Sequence, residues 1–183
     1  MSAPRESRGH GLTQTITDLM TSLAVIFILL LVVFLKQAND QAKRSKSEIS
    51  ERLGSILEKT SLDLKQDPKD PLKLSVSVEE DKLRFTVGSS RLSTRGSFFV
   101  SSFFKDFAAR VCEPSLRDRI DGLVIEGHTD TSGELTPEGV RRNIALSQAR
   151  SYAVLERALQ SVQGNPDVYE CLLSLTSASG RGS

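Results

Sequence analysis

Residues Ile16 to Leu35 read ITDLMTSLAVIFILLLVVFL, the one membrane-length apolar run in this 183-residue chain. At about 1.5 Å rise per residue the run makes about 30 Å of helix, the thickness of a bilayer's hydrocarbon core. A single acidic residue, Asp18, sits at its head. A carboxylate in hydrocarbon costs a few kcal/mol unless it is protonated, paired or hydrated, so an intramembrane acid is a functional-site hypothesis by default. Either Asp18 takes up and releases protons, or it marks the water line of a passive anchor.

The run is too long for the apolar core of a secretory signal. It is followed by Lys36-Gln37-Ala38-Asn39 rather than by a small-x-small cleavage site. The expectation is an uncleaved signal-anchor helix over residues 13–36, preceded by a short flexible tail at 1–12 with Gly9 and Gly11. Arg5, Arg8 and the amino terminus lie upstream; Lys36, Lys43, Arg44 and Lys46 lie downstream. Taken alone, that count favours a cytoplasmic C-terminal side.

The chain beyond the span has room for about one globular domain. Net charge is +1 with both signs interspersed, so no nucleic-acid partner is expected. Five of the eight Phe (98, 99, 103, 104 and 107) fall within ten residues. Cys112 and Cys171 are too far apart for a CxxC redox or zinc motif, but they permit one disulfide in an oxidising compartment.

Residues 37–71 read as a helical linker. Within it Ile49, Leu53, Ile56 and Leu57 form a narrow apolar stripe, suited to a helix laid against its own domain or to a short coiled-coil seam between two copies. Asp67-Pro68-Lys69-Asp70-Pro71 breaks the helix. The domain is expected over 72–183. Leu72, Leu74, Val76 and Val78 alternate with polar residues, as do Leu83, Phe85 and Val87, which predicts a hairpin turning at Glu79–Lys82. Phe99, Phe103, Phe107 and Val111 predict an amphipathic helix ending near Cys112-Glu113-Pro114. Gly122–Glu126 predicts a buried strand. Thr136-Pro137 opens a helix running to about Leu159, and Cys171–Leu175 reads as another strand. The expected fold class is therefore a single transmembrane helix plus an α/β (α+β) domain, with helices packed on one face of a mixed sheet.

The informative stretch is Ile125-Glu126-Gly127-His128-Thr129-Asp130, followed by Asn143, Leu146, Ser147 and Arg150. Asp130 lies just past a strand's carboxyl end, where α/β layers present binding groups. The other four recur at three- and four-residue spacing on one helix face. Such a set is a zwitterion clamp: Asp130 for an ammonium, Arg150 for a carboxylate by a bidentate fork, Asn143 for an amide. The plainer alternative is that Asp130 and Arg150 pair with each other for little energy. Glu126, His128 and Asp130 alternate like metal ligands but lack a third His or Cys, so no metal is expected. Ser147 has no assignable base, and no phosphate or dinucleotide motif occurs, so neither an enzyme nor a bound cofactor is expected.

G-H-T-D followed by N-x-x-L-S-x-x-R resembles the OmpA-like peptidoglycan-binding domain, over about residues 72–183. That resemblance implies a wall-binding site of Asp130, Asn143, Leu146 and Arg150 that grips diaminopimelate in the stem peptide. The chain departs from the family pattern in three places. The loop before Asn143 is long, with Gly133, Glu134, Leu135 and Gly139; Arg142 stands where some relatives carry an aromatic residue. The chain also ends at Ser179-Gly180-Arg181-Gly182-Ser183, where the family continues into a further helix and strand. The expectation is that the chain is truncated or that the last strand is missing.

Asp18-Leu19-Met20-Thr21 resembles the D-F/L-M-T signature of MotB-like stator B subunits. A short linker and the reading V-I-E-G-x-T-D-T-x-G (Val124 to Gly133) make the chain most similar to the ZorB subunits of Zorya anti-phage systems. The resemblance implies a proton-driven inner-membrane stator, with Asp18 as ion carrier supported by Thr21 and Ser22. The transported ion is H⁺, with Na⁺ the alternative. Implied partners are a second copy of the chain, a MotA-like polytopic subunit forming a pentameric ring around the pair, and peptidoglycan. A wall ligand would put the domain in the periplasm and the N-terminus in the cytoplasm, against the charge count, and would let a Cys112–Cys171 disulfide persist. Flagellar-type stator and passive wall anchor are the alternatives.

Overall fold

The computed structural model describes residues 8–67, 70, 73–130 and 136–182, with side chains from residue 14 onward. Arg5, Pro68, Lys69, Pro71, Leu72, residues 131–135 and Ser183 lie outside the described residues, as does the side chain of Arg8. The chain divides into two compact units, one up to Ser47 and one from Glu48.

The first unit consists of α1, the helix Arg8–Lys59, up to Ser47. It begins at Arg8, so residues 8–12, expected as part of a tail, are helical. Every large apolar side chain from Ile16 to Leu35 stands 46–70% exposed, around the whole circumference. A helix apolar on all sides needs a membrane or a partner to cover it. The chain therefore carries one N-terminal helix long and apolar enough to cross a membrane.

The second unit is a small α/β region with short sheets. The last turns of α1 belong to it: Leu53, Ile56 and Leu57 are buried against Phe103, Val111 and Leu175, with Ile49 at the margin. The apolar stripe is thus used within its own domain, and the alternative of a seam between copies does not hold for these residues. α1 ends by bonding Leu62 N–H to Leu57 O at 2.9 Å across Ser61, whose φ of 51° is left-handed. The Lys82 ammonium donates to Thr60 O (2.8 Å) and Ser61 O (2.7 Å), where the helix dipole favours a cation.

Two further strands, β1 (Leu64–Gln66) and β2 (Leu74–Val76), pair antiparallel. The hairpin expected between the Leu72–Val78 and Leu83–Val87 segments does not form. Glu80–Leu83 is instead a helical turn, α2, with Glu80 and Asp81 in its first turn, where acids are favourable. Phe85 meets Leu92 in an isolated bridge, and the alternation ends at Val87, which is fully exposed.

α3 (Thr94–Val111) matches the phenylalanine periodicity and is capped by Ser93, whose hydroxyl accepts from Gly96 N–H. It lies between two apolar clusters. Phe103 and Val111 face the α1 turns, while Val100 and Ala108 pack with Val154, Ala158, Val162 and Leu172. Phe99, Phe103 and Phe107 stack in succession, with ring centroids 6.1 and 5.1 Å apart. A short helix α4 (Pro114–Arg117) leads to strand β3 (Leu123–His128).

α5 (Pro137–Val162) starts at the Thr136 cap and includes Gly139, which the sequence placed in the preceding loop. Cys171–Leu175, expected as a strand, lies in helix α6 (Pro166–Leu175). The reason is local: Asn165 caps it, Pro166 occupies its first turn, and Val168, Leu172 and Leu175 share a helical face. The strand comes later, as β4 (Thr176–Gly182), parallel to β3. β4 takes in Ser179, Gly180, Arg181 and Gly182, residues for which the sequence predicted no strand. Instead of a mixed sheet, the described residues hold one antiparallel and one parallel pair, the latter covered on one face by α5. Cys112, at the end of α3, is joined by a disulfide to Cys171 within α6.

Candidate functional site

Asp18, Thr21 and Ser22 lie in the first unit, on α1. The Thr21 hydroxyl donates to the carbonyls of Thr17 (2.8 Å) and Asp18 (3.0 Å), and Ser22 donates to Asp18 O at 2.7 Å. Both hydroxyls therefore use their protons on the helix backbone, the common state of Ser and Thr in apolar helices. Neither donates to the Asp18 carboxylate. Asp18 is exposed on the flank of the helix, and no described side chain of this unit forms an ion pair with it.

The second candidate is built where β3 ends against α5. Leu123 and Ile125 point inward to the core, and Val124, Glu126 and His128 point outward. Two glycines let the sheet approach the helix closely. A Cβ at Gly127 would sit 2.2 Å from Ser147 O, and one at Gly180 would sit 2.2 Å from Gln148 N. Ser147 is fully buried, and its hydroxyl accepts from Gly182 N–H at 2.9 Å. Ser147 therefore acts as the rivet between β4 and α5, which explains a serine at that place without any nucleophilic role. Thr129 N–H donates to Gly182 O at 3.0 Å and continues the strand pairing toward the site.

This packing sets Asn143 beside the strand end: its Nδ2 donates to the backbone carbonyl of Asp130 at 3.4 Å. The Asp130 side chain is exposed, while Asn143, Leu146 and Arg150 are half-buried along one face of α5. Arg150 lies about two turns beyond Asn143. It does not pair with Asp130. Its Nε donates to Ser89 O at 3.2 Å, and its guanidinium carbon lies 5.0 Å from the centroid of the Phe85 ring. The exposed Asp130 carboxylate and the Arg150 guanidinium, which no described carboxylate pairs, are the two charges that a zwitterionic ligand would need, and the Asn143 carbonyl oxygen is a neutral acceptor.

Glu126 and His128 do not reach toward Asp130 as a metal set. Glu126 meets His128 Nε2 at 3.0 Å and Arg181 Nε at 3.4 Å on the exposed sheet face, where ion pairs contribute little. Among the described residues, no group of three His, Cys, Asp or Glu side chains is arranged to bind a metal. Phe85 and Ser89 were not legible as site neighbours. They lie 61 or more residues from Arg150, and no periodic pattern links the two segments.

No protein-family model matches the chain, and no curated protein matches it.

Proposed function

We propose that the chain is the B subunit of a proton-driven, peptidoglycan-anchored stator of the bacterial inner membrane, of the kind that serves Zorya anti-phage defence, with an OmpA-like wall-binding domain. One observation carries the reading. Asn143 contacts the backbone of Asp130, and Arg150 follows on the same helix face with no described carboxylate paired to it, in a chain whose membrane-length helix bears Asp18. The domain would hold the stem peptide by its ammonium at Asp130 and its carboxylate at Arg150. The Cys112–Cys171 disulfide supports a periplasmic domain and a cytoplasmic N-terminus, because such bonds persist in oxidising compartments.

One span cannot shield its own carboxylate, so two copies would sit within a ring of polytopic MotA-like subunits. Protonation of Asp18 would remove its charge and change its contacts with the ring. A unit charge crossing 100 mV releases about 2.3 kcal/mol, about four times thermal energy and enough for one mechanical step. The wall-bound domain would hold the stationary part in place.

The test is Asp18→Asn in the assembled complex. Ion flux and phage defence should vanish while assembly persists; undiminished flux would refute the reading. A passive wall anchor is the second reading, favoured by the Thr21 and Ser22 hydroxyls bonding to backbone rather than to the Asp18 carboxylate. It predicts that capture of the intact chain from membranes yields self-association alone. A flagellar-type stator would share the Asp18 chemistry, and it would restore motility rather than phage resistance.

A further inference from the structure

We propose that Phe85 and the Ser89 carbonyl are positioning groups that hold Arg150 as an oriented fork, presenting only its Nη1/Nη2 edge to a ligand carboxylate. The inference rests on the wall-binding reading of this site. A guanidinium can meet a carboxylate bidentately along either of two kinds of edge, one containing Nε and one formed by the two terminal nitrogens. In Arg150 the Nε–H is already committed to Ser89 O at 3.2 Å. Its guanidinium carbon lies over the Phe85 ring, 5.0 Å from the centroid, a distance at which the ring quadrupole attracts the cation. Among the described residues no carboxylate pairs with Arg150, so its charge and its outer edge stay available.

The clamp is itself held firmly. Thr86 N–H donates to Arg91 O (3.0 Å), Ser89 N–H to Thr86 O (2.9 Å), and Arg91 N–H to Ser89 Oγ (3.1 Å). Phe85 and Leu92 close the turn with a bridge and pack onto the Val100 and Val154 cluster. Arg157 gives the contrast, two turns further along α5. Its Nε also meets a carbonyl, Ser97 O at 3.4 Å, but its Nη1 donates to Gln160 Oε1 at 3.3 Å. Arg157 therefore serves the fold, whereas Arg150 has its terminal nitrogens left for a ligand. Pre-setting the fork removes side-chain entropy that binding would otherwise have to overcome.

The experiment titrates the full chain in detergent with a diaminopimelate-containing muropeptide and with the same muropeptide amidated at the diaminopimelate carboxylate. Phe85→Leu should bind the carboxylate form about three- to fivefold more weakly and the amidated form unchanged, while Phe85→Trp restores affinity. Equal weakening toward both ligands, or none toward either, would overturn the positioning role. A measurement on the unaltered chain covers the case in which Phe85→Leu fails to fold. The Arg150 Nε–H resonance should be shifted by the ring and protected from exchange, and it should stay so when muropeptide binds. Loss of that protection on binding would show that the Nε edge is the one used, against the proposal. Absence of muropeptide binding by the unaltered chain would overturn the wall-binding reading itself.

Discussion

The buried hydroxyl of Ser147 accepts the backbone N–H of Gly182 at 2.9 Å, joining the middle of α5 to the end of β4. Through this bond, and the glycine contacts on either side, the helix face carrying Asn143 and Arg150 is brought to the end of β3.

Ser147→Val should therefore destabilise the domain by about 1–3 kcal/mol, since it leaves a buried N–H without a partner. Gly180→Ala should destabilise further, because its Cβ would overlap the backbone of Gln148. Urea unfolding of each variant checks both, and a Ser147→Val midpoint equal to that of the unaltered chain would contradict the rivet role.

The domain starts within α1. Leu57 is buried in the core, and truncating a buried leucine costs about 2–5 kcal/mol. Leu57→Ala should lower the melting temperature of the domain markedly. A fragment from Glu48 should unfold cooperatively in calorimetry, whereas one from residue 72 should not.

The Cys112–Cys171 bond closes a loop of 59 residues. Loop-closure entropy for that length corresponds to about 4 kcal/mol. Replacing both cysteines by Ala should cost up to that amount in chemical denaturation, and a reductant should weaken the unaltered chain alone. Equal stability with and without reductant would rule out the bond in solution.

Ser61 adopts a left-handed conformation at the end of α1, where glycine has no Cβ to oppose it. Ser61→Gly should stabilise the domain by about 0.5–1 kcal/mol, the left-handed penalty of about 1–2 kcal/mol less the entropy glycine loses on folding. Lys82→Met should do the reverse, because it removes the cation from the Thr60 and Ser61 carbonyls. Thermal melts of the two variants should move in opposite directions.

Local chemistry was enough to read much of this protein. The twenty-residue, mostly apolar run with Asp18 at its head specifies a membrane-length helix, the phenylalanine spacing marks α3 by its period, and Thr136 marks α5 by its cap. The segments that misled are short ones in which alternation competes with capping. Glu80 and Asp81 turned an expected hairpin into α2, and Asn165-Pro166 turned an expected strand into α6. The tertiary structure alone decided where the α1 stripe is buried, that Gly127 and Gly180 let a helix touch a sheet, and that Arg150 rests on Phe85 and Ser89. Those outcomes depend on chain segments that meet only after the core has formed, and local spacing in a sequence carries no record of such meetings.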